Sequence, residues 1–279
     1  MIFHAPEGDW TKSAPLRILS FDLETAIAPP STFSGDRLPR YSHEAVFQIG
    51  NTLLDKVPGE FDSYAQFMFT LNTCSDIDGV EVKSYDTESE LLLAWRDFVI
   101  ESDPDVIIGH NISRFDWPHL LLRSEFALAL PEFSCIGRLQ GVHATARPLP
   151  LNQRKFNDGP ILMGRLQLDT NQYMAESQAL RRNFTIGGRP RCDLNTLAAE
   201  FLDDKKGDVH FLEIEHLQHG GADTRRKLAV YCLKDTELPL KLLNCRLQCL
   251  DEAIRAARAN TRYMYRPFHE FLRNGRNRS

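Results

Sequence analysis

The sequence predicts an α/β protein in which a mixed β-sheet carries helices packed on it. Three observations predict this. Several apolar, β-rich runs come first along the chain, and helical and strand patterns alternate after them, an order that lays strands side by side before crossover helices begin. Between two helical patterns lies the unbroken apolar run Val106-Ile-Ile108, the mark of a strand buried on both faces.

Taken in order, Leu16-Arg-Ile-Leu-Ser-Phe-Asp-Leu-Glu24 starts as an apolar strand and ends in two carboxylates. Ala45–Leu54 and Tyr64–Leu71 read as further strands and Val82–Tyr85 as a short fourth, together a strand meander. Thr87-x-x-Glu90 is a capping box, and Leu91, Trp95, Phe98 and Val99 recur at helical spacing until Asp103-Pro104 stops the helix. Val106–Ile108 then leads into Gly109-His-Asn, and an apolar-rich helix resumes from Pro118 to Leu130.

Residues 131–160 hold four prolines with Arg138, Arg147, Arg154 and Lys155 and show no period, so an irregular excursion or long hairpin is expected. Ile161–Leu168 reads as a strand and Asp169–Ala179 as a helix. Asp193 caps a short amphipathic helix carrying Leu194, Leu197, Ala198, Phe201 and Leu202. A long helix is expected from near Asp223 to about Asn260, kinked at Pro239, where an amide donor is lost.

The chain has 279 residues, 42% of them apolar and 10% aromatic, which excludes disorder as its default state. No run reaches the roughly 18 apolar residues of a membrane span, and the first ten residues are acidic without an apolar core. The expected protein is soluble and intracellular, with no membrane partner. Six cysteines are scattered along it. Cys245 and Cys249, with His216 and His219, make a poor zinc set because no second cysteine pair exists, so small buried residues are the favoured reading.

The net charge of −5 conceals an asymmetry. Residues 1–130 hold 9 Lys and Arg against 21 Asp and Glu, a net of −12, whereas residues 131–279 hold 24 against 17, a net of +7. Cations bound in the acidic half would offset part of its charge, so a nucleic-acid substrate is not excluded, with weak affinity expected in the absence of metal or partner domains.

Asp22 and Glu24 lie two residues apart on a strand and therefore share a face. Alone, such a pair reads as a solvent-facing strand end. Asp116 stands at a loop-to-helix junction beyond the Val106–Ile108 strand, and Asp235 lies one helical turn beyond Tyr231. Four carboxylates from three segments, with a phenol to orient water, suffice to hold hard divalent cations of the kind that clamp both oxygens in phosphoryl transfer.

Ser20-Phe-Asp-Leu-Glu-Thr25, Ile108-Gly-His-Asn-Ile-Ser-Arg-Phe-Asp116 and Tyr231-Cys-Leu-Lys-Asp235 resemble the three exonuclease motifs of family B DNA polymerases, in the proofreading class with a tyrosine in its third motif. Flanking segments resemble the delta-type members most: His4–Trp10, Asp103–Ile107, Met163–Asp169 and Arg226–Asp235 with Leu238-Pro-Leu240. The resemblance implies a ribonuclease H-like, DEDD-type exonuclease domain that trims DNA from its 3′ end with two divalent ions, Mg²⁺ or Mn²⁺. It implies that Asp22, Glu24 and Asp235 hold the ion that activates water, that Asp22 and Asp116 hold the second, and that Tyr231 hydrogen-bonds the water. It also implies that Asn111 and Phe115 cradle the terminal nucleotides of a single strand, Phe115 by stacking. Replicase subunits or remaining polymerase domains are the implied partners and the nucleus the implied location.

On the same resemblance, residues 1–14 are the remnant of an N-terminal domain junction, 15–250 the exonuclease domain, and 251–279 a basic helical tail leading toward an absent polymerase palm. No Tyr-x-Asp-Thr-Asp-Ser motif occurs, so no DNA synthesis is expected. The alternatives are a non-catalytic binding or scaffolding remnant and a related nuclease acting on RNA. His110, Trp117, His119 and residues 183–192 depart from the family's pattern, and Trp117 is bulky enough to alter the strand path.

Overall fold

The computed structural model describes residues 16–25, 40–56, 64–146, 162–176, 185–186, 189–190, 193–204 and 211–245. A six-stranded mixed sheet is built from β1 (Leu16–Thr25), β2 (Val46–Lys56), β3 (Tyr64–Leu71), β4 (Val80–Tyr85), β5 (Val106–Gly109) and β6 (Leu166–Asp169), in the order β4-β3-β2-β1-β5-β6. The strand β1 is central, antiparallel to β2 along Leu16–Thr25 and parallel to β5 over Ile18–Ser20, so its middle is paired along both edges. β6 adds in parallel to β5, pairing Gly109 with Asp169.

One expectation changes here. β4 runs parallel to β3, not antiparallel as in a meander. The connecting residues return along the sheet face, where Cys74 and Ile77 pack beside Met68, Ala229 and Cys232. The expected strand at Ile161–Leu168 is also shorter, beginning only at Leu166 after a turn closed by the Arg165 amide on the Leu162 carbonyl.

The sheet is covered on both faces. α1 (Glu88–Ser102) starts at the expected capping box, with the Glu90 amide donating to the Thr87 hydroxyl and Thr87 donating back to Glu90, and it ends at Asp103 in the left-handed conformation. Its Leu91, Leu92, Trp95, Phe98 and Val99 pack with Leu19, Phe21 and Leu23 of β1 in the largest apolar cluster. α2 (Asp116–Leu122) and the π-helical turn Arg123–Ala127 that follows close the same cluster. The helix expected to run unbroken to Leu130 thus gives way after Leu122. Arg123 bends back there, with Nη1 on the Tyr41 carbonyl and a bidentate ion pair to Glu88.

The opening of the 131–160 excursion is structural. Phe133, Ile136 and Ala144 lie in the core, and Arg138 donates to Asp103 and Asp105. Arg165 donates to Asp103 as well, which offsets basic charge that the sequence left open to a polyanion. Two short strands, β7 (Thr185–Ile186) and β8 (Arg189–Pro190), pair antiparallel within the departing segment 183–192. The junction at 1–14, the rest of the excursion from 147 to 160, the tail at 251–279, Cys192 and Cys249 lie outside the described residues, as does the Cys245 side chain.

On the opposite face, α3 (Thr170–Glu176) and α4 (Leu194–Leu202), capped by Asp193 as expected, pack against the last helix. α5 (Phe211–His219), which the sequence pattern did not mark, turns at Gly220 into α6 (Ala222–Cys245), the described part of the expected long helix, with Pro239 inside it.

α6 lies along the β1–β2 groove. Arg225 caps the Gln218 carbonyl and accepts from Gln48 near one end. Thr236 meets Thr52 at 2.6 Å, and Leu240 and Leu243 pack on Ile18 and Leu54 further on. Glycine sets this approach: a Cβ on Gly50 would lie 2.9 Å from Cys232 Sγ and 3.3 Å from the Cys232 backbone. Gly50→Ala should therefore push α6 off the sheet and cost about 1–3 kcal/mol of stability, read as a lowered denaturant midpoint; an unchanged midpoint would contradict the close fit.

Candidate active site

The alternation of β1 divides its side chains between two layers. Leu19, Phe21 and Leu23 enter the core under α1, while Ile18, Asp22 and Glu24 face α6. Asp22 lies opposite Gly50 and Glu24 opposite Gln48, with a register shift between Glu24 and Thr25 that ends regular pairing. Bulges of this kind re-aim side chains at the rim of a sheet. Asp22 is half-buried and Glu24 only 4% exposed.

α6 brings Cys232 to this pair. Ligand atoms of Asp22, Glu24 and Cys232 lie within 4.8 Å of one another, and Cys232 Sγ stands 3.9 Å from Asp22 Oδ2 and 3.5 Å from the Asp22 carbonyl. Sequence reasoning missed Cys232, although its place one turn before Thr236 on the sheet-facing stripe was there to be read. Burial, then the charges of Asp22, Glu24 and Asp235, raise its thiol well above the ordinary range. It stays a neutral neighbour of the carboxylates.

Asp116 opens α2 at the same end of β1. It is 2% exposed, and burial, with the nearby charges of Asp169 and Asp235, pushes its carboxyl up to about 8. Hydrogen bonds from its own backbone and from that of Leu23, the residue between Asp22 and Glu24, pull the other way. Asp235 is 8% exposed and acts electrostatically on both Asp116 and Cys232. All four predicted carboxylates are thus gathered at one end of β1. Tyr231 is half-buried on α6 next to Cys232.

Asn111 and Phe115 lie on the loop between β5 and α2. Asn111 has φ 66°, and its carbonyl accepts from the amides of Arg114 and Phe115. Phe115 stacks on His119 at 5.6 Å. A Cβ on Gly109 would come within 2.4 Å of Ile112 Cγ2 and 2.8 Å of the Phe21 carbonyl, so the loop leaves the sheet through a position that admits only glycine.

Two of the departures, His119 and Trp117, fit into the core. His119 meets the Glu44 carbonyl at 2.9 Å. Trp117 is fully buried, edge-on to Phe21 at 4.9 Å and beside Trp95, and β1 keeps its regular register through Glu24. Its bulk leaves the strand path intact, at the cost of an indole N–H without an acceptor among the described residues.

A carboxylate that the sequence did not single out is Asp169, at the end of β6. It is 6% exposed and accepts from the amides of Asn111, Ser113 and Asn171 at 2.9 to 3.0 Å and of Gln172 at 3.3 Å.

The model of the DNA polymerase family B exonuclease domain matches residues 2–185. The chain belongs to that family. It is 40% identical to the DNA polymerase delta catalytic subunit of Oryza sativa subsp. japonica over 248 residues, 88% of this chain and 21% of that protein. Identity to the delta catalytic subunit of Candida albicans is 40% over 90% of this chain, and to that of Bos taurus 38% over 92%. The chain spans about a fifth of the length of these relatives. The delta-type exonuclease domain and its helix-flanked mixed sheet agree with the ribonuclease H-like architecture the sequence implied.

The donor set suits hard divalent cations: carboxylate oxygens at one strand end, mostly buried and mutually repelling. In the metal-free protein the raised Asp116 carboxyl has a definite signature. Its ordinary value is 3.8 and its folded value about 8, so the folded state holds the proton more tightly and the stability gained is complete below about pH 4 and lost as pH rises to about 8. Melting temperatures in chelator should fall across that window, and Asp116→Asn should flatten the slope. An unaltered slope in the variant would assign the loss to other groups.

Proposed function

We propose that this chain is a metal-dependent 3′→5′ exodeoxyribonuclease module that trims single-stranded DNA ends, the proofreading part of a delta-type polymerase. The observation that carries the reading is the gathering of Asp22, Glu24, Asp116 and Asp235 at one end of β1 by Cys232, on the helix that also carries Tyr231. Asp22, Glu24 and Asp235 would hold one divalent ion, Mg²⁺ or Mn²⁺, and Asp22 with Asp116 a second. Such a pair supplies Lewis-acid stabilisation of the attacking and leaving oxygens in phosphodiester hydrolysis.

The chain's own residues do the rest. Tyr231 offers a phenol to orient the attacking water on the line set by α6. Asn111 and Phe115, on the loop that leads into Asp116, receive the last nucleotides by hydrogen bonding and stacking, which tolerates any base. Gly109 lets that loop pass close to the Phe21 carbonyl at the β1 end. The relatives are catalytic subunits of DNA polymerase delta, which supports DNA as the substrate, other replicase parts as partners and the nucleus as the location.

Asp22→Ala should abolish Mg²⁺-dependent trimming of a labelled single strand, by roughly 10³-fold or more for a lost ion worth several kcal/mol, with the fold retained by circular dichroism. Trimming at the parent rate would overturn the reading, and failure of the parent to bind divalent ions by calorimetry would favour a non-catalytic binding role. Tyr231→Phe should lower kcat about tenfold or more through a misplaced water while metal affinity stays near that of the parent, and a loss of metal affinity would place the phenol elsewhere.

A further inference from the structure

We infer that Asp169 is a positioning residue that holds the Asn111–Asp116 loop in its working geometry, an assignment that rests on the exonuclease reading above. Asp169 ends β6 opposite Gly109 of β5, so the two parallel strands deliver their following segments side by side. A carboxylate that only capped α3 would accept from the first amides of that helix. Asp169 does this with Oδ1, which accepts from Asn171 and Gln172. The same Oδ1 also accepts from the Asn111 amide, and Oδ2 accepts from the Ser113 amide, both at 2.9 Å and across more than fifty residues of sequence.

Those two bonds fix the part of the loop that local chemistry leaves least certain. Asn111 sits in the left-handed region, which asparagine tolerates better than most residues but which local chemistry alone does not fix. Its carbonyl closes the turn to Arg114 and Phe115, and Phe115 directly precedes Asp116. One clasp therefore sets Asn111, Phe115 and Asp116 together. A second tie joins the same segments: Thr170 donates to the Gly109 carbonyl at 3.1 Å and meets His110 Nδ1 at 3.0 Å. Asp169 touches no substrate or ion on this account and acts through the loop it holds.

Asp169→Asn tests the assignment in the full chain. The amide keeps the size of the carboxylate but turns an N–H toward at least one amide donor, so the clasp is broken with little change in volume. Asp193→Ala, which removes the cap of α4 and leaves the loop untouched, serves as the control for simple loss of stability. Hydrogen exchange should show Asn111 and Ser113 protected in the parent and exchanging faster in Asp169→Asn. The kcat on single-stranded DNA should fall about tenfold or more, with kcat unchanged in Asp193→Ala.

Parent-like kcat in a folded Asp169→Asn, or an equal loss in the control, would overturn the assignment. Should Asp169→Asn fail to fold, exchange in the parent decides it: free exchange at Asn111 and Ser113 overturns the clasp, and protection matching that of Asn171 sustains it. A parent that trims no DNA would defeat the exonuclease reading instead, and the exchange measurement would still judge the clasp.

Discussion

Everything in this fold answers to one constraint, the packing of like charge at one end of β1. Carboxylates placed this close repel each other and resist desolvation, yet Glu24, Asp116, Asp169 and Asp235 are each less than a tenth exposed. Burial raises the Asp116 and Asp169 carboxyls, and at Asp116 the charges of Asp169 and Asp235 add to it. Such a cluster persists only where the surrounding frame is stiff enough to prevent the acids from moving apart. The frame is a strand paired on both edges just before the acids, paired with β2 beside them, and backed by Phe21, Trp95 and Trp117.

The second requirement is that α6 stay close. It approaches β1 and β2 through a glycine and a small thiol, and is then stitched by polar contacts: Gln48 to Arg225, Thr52 to Thr236, and Gln66 to Glu237. These are buried or half-buried hydrogen bonds with fixed partners, so they specify the register of the helix on the sheet as well as its adhesion. A slip of one helical turn would unpair them together and carry Tyr231 and Asp235 away from Asp22. The polar network at the far end of the sheet, where Asp103 and Asp105 pair with Arg138 and Arg165 and Asp105 accepts from the Arg17 amide, anchors β1, β5 and the entry to β6 from the opposite side.

What was legible in the sequence is what local chemistry determines. The Thr87 capping box, the Asp193 cap, the apolar run of β5 and the shared face of Asp22 and Glu24 each follow from a few adjacent residues. The candidate carboxylates could be named because motif spacing carries them, and the family match over residues 2–185 takes in Asp22, Glu24 and Asp116. Less legible were features set by distant partners. β4 runs parallel because its connection packs under α6, and α2 ends early because Arg123 turns back to Glu88. Asp169 looked like an ordinary strand-to-helix aspartate, since its two distinguishing bonds come from the loop after β5, far away in sequence. Trp117 raised a concern about the strand path that the core dispels by seating the ring between Phe21 and Trp95.

The three segments that meet at the site are held by forces of different range, which bears on how it tolerates change. Asp22 and Glu24 take their positions from the strand itself, and little short of breaking the sheet moves them. Asp235 takes its position from helix docking, a sum of many dispersion contacts and several hydrogen bonds spread along α6. Asp116 depends on a short loop whose path is set by one glycine, one left-handed asparagine and one carboxylate. Substitutions that spare the acids themselves should therefore damage the site most through that loop. Core changes beneath β1 act on all three segments at once and surface changes on none. Three of the four acids lie in the acidic first half but supply only three of its 21 carboxylates, and Arg138 and Arg165 of the basic half are engaged in holding the sheet.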